Sequence, residues 1–448
     1  MILKRIAGSV KLAFCLSALY STAALSSQAT VTLPPDVITL PPVSAALQAT
    51  EAKPTPQEFA LAQALRPLLD DSRYNQALEL LSQRAELSPA LSLVKAQLLA
   101  QQNQFAEALA TYDDVLKEMP ELMQAHQGRA IILLLQKRYE AAQHALTKAI
   151  QLGLNDIYAY TQLAYINLKA NDAWSALSAF QHALMLDPDS TSLRFGLLSA
   201  LVKTGQTHSA LNLIASLLEL EPENTGLWLQ RANLALSMDD INMALSSLET
   251  AIRLGDKEPG NYIMTAQFHL QKGNFTRAND LLSGSVRFEQ QQIVQLLPML
   301  VRFEQWQLLE TLLQSYQPEL EQLVGIEKSR FHLYQAQLAK INNQPKQVTQ
   351  ALTAALQADP ANGKALLELA GVYLEDKNYT AAEHYYARAT VLDTVKQQGY
   401  LGLAQTFLAQ LNYDAALENL VALSKLDPHN KDIQHNINGL KRILLAQQ

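Results

Sequence analysis

The sequence predicts an all-α solenoid of about eleven helix-turn-helix repeats, each near 34 residues, closed by a C-terminal capping helix. Three observations predict it. Loop prolines or their replacements recur every 34 residues at Pro120, Leu154, Pro188, Pro222 and Asp256, and again at Pro360, Thr394 and Pro428. In the same frame alanine recurs at the eighth place of the unit (Ala96, Ala130, Ala164, Ala232, Ala266, Ala336, Ala370, Ala404) and at the twentieth (Ala108, Ala142, Ala176, Ala210, Ala244, Ala278, Ala382, Ala416). A methyl group at a repeated place lets two helix axes approach closely while larger neighbours fill the gaps. Finally, 48% of the 448 residues are apolar and 17% charged, enough to bury a large core and to exclude wholesale disorder.

Taken in order, residues 1–29 read as a secretory signal peptide. Lys4, Arg5 and Lys11 precede the apolar run Leu12 to Leu25, and Ser27-Gln28-Ala29 supplies small residues for cleavage. That run of about 14 residues is short of the roughly 20 that cross a bilayer, so cleavage is expected and no transmembrane span in the mature chain. The sole cysteine, Cys15, follows Leu12-Ala13-Phe14 and lacks the small preceding residue that lipid attachment requires. The mature chain then has no thiol, which excludes disulfides, thiolate metal sites and cysteine nucleophiles. Cleavage removes three cations and takes the formal charge from −7 to −10, a balance opposed to nucleic acid and to anionic lipid.

Residues 30–57 form a Pro-rich linker. Thr32-Leu33-Pro34-Pro35 is followed by Thr39-Leu40-Pro41-Pro42 and then by Pro54 and Pro56, a density that imposes extended backbone. It reads as a spacer, and the doubled motif as a partner ligand is the second reading. Repeats then start near 58, 89, 123, 157, 191, 225, 259, 293, 329, 363 and 397. They divide into an N-terminal array over 58–292, a divergent repeat at 293–328 and a C-terminal array over 329–430, with residues 431–448 as the capping helix. The divergent repeat has Pro298 inside its first helix and no alanine in the close-contact slots, so it is expected to pack weakly, as a hinge or as tolerated drift.

The unit 157–190 places Tyr160, Leu163, Ala164, Ala176, Phe180, Ala183 and Pro188 in signature slots, and 363–396 does so with Leu366, Leu369, Ala370, Tyr373, Ala382, Tyr386 and Ala389. In these residues the chain resembles the tetratricopeptide-repeat family, and specifically its exported bacterial members. The resemblance covers nearly all of the mature chain and implies a right-handed superhelix whose inner face is lined by the first helix of each pair. It places that lining at the second, fifth, ninth and twelfth positions. Chaperone-binding members hold a partner's terminal carboxylate with a lysine at the fifth position, which here reads Leu93, Gln127, Thr161, Phe195, Leu229, Ile263, Leu333, Leu367 and Leu401. No carboxylate-clamp chaperone partner is therefore expected.

Groups for catalysis are not visible. No histidine pair has the i, i+4 spacing around a glutamate that a zinc protease uses, and His429 and His435 straddle a loop and the capping helix. The glycines form no phosphate-cradling loop, and Gly205 and Gly273 sit in turns between paired helices, where positive φ is useful. No nucleophile elbow occurs, and Glu219, Glu221 and Glu223 read as a solvated face. We expect no enzyme activity, no metal and no cofactor.

Binding is expected in the inner stripe. The candidate residues are Tyr158, Thr161, Tyr165, Phe195, Ser199, Leu229, Asn233, Ile263 and Gln267, an apolar row flanked by amides and small polar groups. Such a row suits an extended peptide or amphipathic helix with apolar anchors. Tyr158, Tyr165 and Phe195 stand out as an aromatic cluster, the alternative being that they pack against the next repeat. The function expected is a non-enzymatic protein-protein interaction scaffold of the bacterial cell envelope, in the periplasm or on the periplasmic face of the outer membrane, with an envelope protein as partner. Two other readings are an accessory of an exopolysaccharide export or biogenesis machine, and an enzyme with a cryptic site in the divergent middle. The leucines Leu296, Leu297, Leu300, Leu308, Leu309 and Leu312 disfavour the last.

Overall fold

A computed structural model describes residues 52–447, with twenty-four α-helices and no strand among them. The expected signal at 1–29 and most of the linker at 30–57 lie outside the described residues. The chain forms two compact units, one ending at Leu254 and the other beginning at Gly255.

The first unit is a stack of antiparallel helix pairs. Phe59–Asp70 pairs with Tyr74–Ser82, Pro89–Gln101 with Phe105–Glu118, Met123–Leu135 with Tyr139–Gln151, and Ile157–Lys169 with Ala173–Leu186. Thr191–Lys203 with Thr207–Leu220 and Thr225–Ser237 with Ile241–Arg253 complete it. Each pair packs on the next. The second unit continues the pattern with Pro259–Gln271 and Phe275–Leu282, Gln290–Arg302 and Trp306–Ser315, and Gly325–Ile341 and Pro345–Ala358. Gly363–Glu375 with Tyr379–Ala389 and Lys396–Ala409 with Tyr413–Leu426 follow. A final helix, Lys431–Gln447, buries Ile433, Ile437 and Leu440 against Leu420 and Leu423. Their i, i+4, i+7 spacing puts those three on one face.

The alanine frame is the packing frame: every alanine at the eighth and twentieth places is at most 1% exposed. Each pair turns through a left-handed residue at the fifteenth place. Gly205 (φ 71°) and Gly273 (φ 76°) fill it, but so do Asn103, Lys137, Asn171, Asp239, Asn343, Lys377 and Leu411, all with φ between 55° and 65°. Helix starts are capped where the sequence allows. Asp156 accepts the Ala159 amide at 2.9 Å and Asp240 that of Met243 at 2.9 Å, satisfying donors a helix leaves open.

The irregular region differs from its sequence reading in two ways. It begins one helix earlier, because Ser283-Gly284-Ser285 ends the second helix of the preceding repeat at Leu282, and the next first helix starts at Gln290 rather than near 293. Counted from its own left-handed turn at Glu304, the alanine slots hold Leu297 and Leu309. Both are buried, and these larger side chains keep Gln290–Arg302 and Trp306–Ser315 from approaching as closely as most alanine-lined pairs do, in keeping with the weaker packing expected of this repeat. The Tyr316 hydroxyl accepts the Phe288 amide at 2.9 Å, and Arg287 pairs with Glu319 while lying 4.9 Å from the Tyr316 ring centre. The unit boundary falls at Leu254/Gly255, and residues 293–328 lie inside the second unit. Gly255 has φ 103°, but Gly153 has φ 102° at the equivalent place inside the first unit, so that turn alone does not mark the boundary.

Candidate partner-binding face

In the first unit the stripe runs along the first helices of successive repeats. Tyr158 is half-buried within the cluster around Ala130, Leu146 and Ile166, and its hydroxyl has no hydrogen-bond partner. Burial, with the nearby Asp156 charge, pushes the Tyr158 phenol up. Thr161 is half-exposed on the next turn. Phe195 is half-buried at the edge of a second cluster, around Ala164, Phe180 and Leu198. Ser199 is half-exposed, but its hydroxyl donates to the Phe195 carbonyl at 3.0 Å and is spent on its own helix. Asn233 is half-exposed on Thr225–Ser237.

Two candidates are core residues. Tyr165 is 6% exposed, meets Phe180 edge-on at 5.1 Å and 88°, and donates its hydroxyl to the Ser192 carbonyl at 3.4 Å. It thus joins two repeats rather than facing outward. Leu229 is likewise buried, at 8% exposed. The expected aromatic cluster of Tyr158, Tyr165 and Phe195 does not form as one group: Tyr158 packs with the repeat before and the other two with the repeat after. In the second unit Ile263 and Gln267 are half-buried on Pro259–Gln271.

The residues left accessible in the first unit, namely Tyr158, Thr161, Phe195 and Asn233, are all uncharged. Such a face offers an aromatic edge, a hydroxyl and an amide to a polypeptide, whose backbone both donates and accepts. Amide oxygens of Gln97 and Gln124, at the ninth and second positions, are also buried without a partner.

A different face of Ile157–Lys169 was missed by sequence reasoning. Asn167, at the eleventh position, is 3% exposed and opens on a cleft between that helix and the flanking second helices. The available signal was a polar residue where Leu99, Leu133 and Leu201 stand in neighbouring repeats. Among the described residues no group of three or more His, Cys, Asp or Glu side chains is placed to hold a metal ion. No helix among them is long and apolar enough to cross a membrane.

Comparison with known proteins gives a consistent family. A family model described as Tetratricopeptide repeat matches residues 201–425, just over half of the chain, and a second of the same description matches 93–154. The Probable UDP-N-acetylglucosamine--peptide N-acetylglucosaminyltransferase SPINDLY of Arabidopsis thaliana is 27% identical over 128 residues, covering 27% of this chain and 14% of that protein. The structure of Naa15/Naa10 bound to HypK-THB is similar with a TM-score of 0.47 and 16% identity, over 86% of this chain and 66% of that one. YrrB, described as a TPR protein with an unusual peptide-binding site, is similar with a TM-score of 0.35 and 22% identity, over 44% of this chain and 97% of that one. The chain thus spans about a seventh of the curated relative and less than two thirds of the first of these structures.

Proposed function

Because the chain belongs to the tetratricopeptide-repeat family, we propose that it is a non-catalytic scaffold that holds a partner polypeptide along the first helices of its repeats. The observation that carries the reading is the uncharged, half-exposed set Tyr158, Thr161, Phe195 and Asn233 in the first unit, with Ile263 and Gln267 on the corresponding helix of the second. Phe195 supplies an apolar anchor site and Asn233 hydrogen bonds to the partner's backbone. The partner is a protein or peptide with apolar anchor residues and without a dependence on a terminal carboxylate.

The setting is the bacterial cell envelope, with export directed by residues 1–29. The charges Lys4, Arg5 and Lys11 ahead of an apolar run support it. Sequencing the mature N-terminus tests this part, and recovery of an intact Met1 from cells would overturn it.

In-cell crosslinking with mass spectrometry identifies the partner. The double variant Phe195→Ala, Asn233→Ala should then weaken its capture about tenfold or more with helicity unchanged. Unchanged capture would remove this face from the reading.

A further inference from the structure

The geometry points to a second binding site, for a neutral sugar, in the cleft built around Asn167. The cleft has a volume of about 550 Å³, inside the roughly 300–1,000 Å³ of small-molecule sites. Its walls come from Tyr139–Gln151 on one side and Ala173–Leu186 on the other, with Ile157–Lys169 as floor. Tyr160, Leu163 and Asn167 on that floor are each two residues removed from Tyr158, Thr161 and Tyr165, about 200° around the helix. The cleft is therefore separate from the partner-binding face.

The polarity of its floor comes from one substitution in the repeat. Where Leu99, Leu133 and Leu201 put a branched apolar side chain at the eleventh position, Asn167 puts a planar amide of the same length that carries a donor and an acceptor. Gln143 donates to the Asn167 Oδ1 at 2.6 Å, which fixes the amide. The Asn167 Nδ2 has no hydrogen bond within the described residues, although the residue is almost wholly buried and lines the cleft. That donor is therefore free to bond water or a ligand in the cleft.

The lining chemistry selects the ligand class. None of the lining residues is Asp, Glu, Lys or Arg, and among them only His144 and His182 can carry a charge, so the lining offers a phosphate or carboxylate little to replace its hydration. Amides and hydroxyls such as Gln143, Asn167 and Ser178 both donate and accept, as sugar hydroxyls do. Tyr160 and His182, stacked on each other at 5.1 Å and 18°, add polarizable aromatic surface to the lining, against which the C–H groups of a sugar can pack. Ile150 and Leu163 complete an apolar base.

The test uses the full chain in saturation-transfer NMR with maltose, cellobiose and N,N′-diacetylchitobiose as neutral probes and glucose 6-phosphate as the anionic one. At least one neutral disaccharide should show transfer, and the phosphate sugar should show less. Asn167→Leu, which restores the residue of neighbouring repeats, and Ser178→Trp, which fills the cleft from an exposed position, should each weaken binding about tenfold or more. The Phe195→Ala, Asn233→Ala variant should leave it unchanged, so failure here is distinct from failure of the polypeptide reading. Absence of transfer from all three neutral sugars, preference for the phosphate sugar, or binding retained in Ser178→Trp would overturn the assignment. Should Asn167→Leu lose helicity, Ser178→Trp decides.

Discussion

The Phe180 ring fills the space that a β-carbon on Gly196 would occupy. The same fit recurs between Tyr112 and Gly128 and between Tyr386 and Gly402, in each case from the second helix of one repeat to the first helix of the next. Where the second helix offers Leu146, Ile214 or Leu352 instead, the facing position holds Gln162, Gln230 or Glu368. Ring and missing side chain therefore come as a matched set.

Gly196→Ala tests the match by its sign. In an ordinary helix interior the change would stabilise by about 1 kcal/mol, whereas overpacking against Phe180 costs about 1–3 kcal/mol. Urea denaturation should show net destabilisation, and adding Phe180→Leu should recover much of it. A stabilised single variant would mean the ring gives way freely.

Glu58 ties the chain entry to the second repeat. It is 5% exposed, and its carboxylate accepts the Ser88 amide at 2.7 Å and the Thr55 amide at 2.9 Å. Burial pushes the carboxyl up, but the hydrogen bonds from Ser88 and Thr55 outweigh it and bring the pKa from 4.5 down to about 2. A depressed carboxyl stabilises the fold fully above its unfolded value and loses that contribution as pH falls through its folded value. The wild-type chain should thus lose stability between pH 4.5 and about 2 more steeply than Glu58→Gln. Hydrogen exchange should place the difference in residues 52–101, and equal slopes would refute the assignment.

Leu411 adopts φ 63° and is 70% exposed. A branched side chain in the left-handed region costs about 1–2 kcal/mol, partly offset in a glycine by chain entropy. Leu411→Gly should raise stability by about 0.5–1 kcal/mol in thermal denaturation, with no effect on partner capture.

Tyr165 separates packing from recognition. Tyr165→Ala removes a buried ring and should cost about 3–5 kcal/mol, whereas Tyr165→Phe loses only a long hydrogen bond and should cost about 1 kcal/mol or less. Partner capture by Tyr165→Phe should match wild type, since the hydroxyl points at Ser192 and not outward.

The repeat frame was legible because close helix contact demands a methyl group at fixed intervals, and Ala164 or Ala176 states that demand locally. The stripe was legible only as a direction. Whether Tyr165 or Phe195 ends up outside depends on how the next first helix lies across it, a contact with Ser192 that no single repeat encodes. The start of the irregular region was hidden by carrying the 34-residue count on from 259 to 293, when the break is set upstream at Ser283-Gly284-Ser285. Asn167 was visible only by reading the eleventh position across repeats, because alone it resembles any helix amide.

The ring-and-glycine joints also mean that the repeats are not interchangeable bricks. Excising 157–190 would bring Leu146 beneath Gly196 and open a void, whereas excising 123–190 would bring Tyr112 there and keep the joint closed. A lineage that shortens or lengthens this chain is thus confined to cuts that preserve such seams, and the order of its modules carries a memory of which neighbour each one was fitted to.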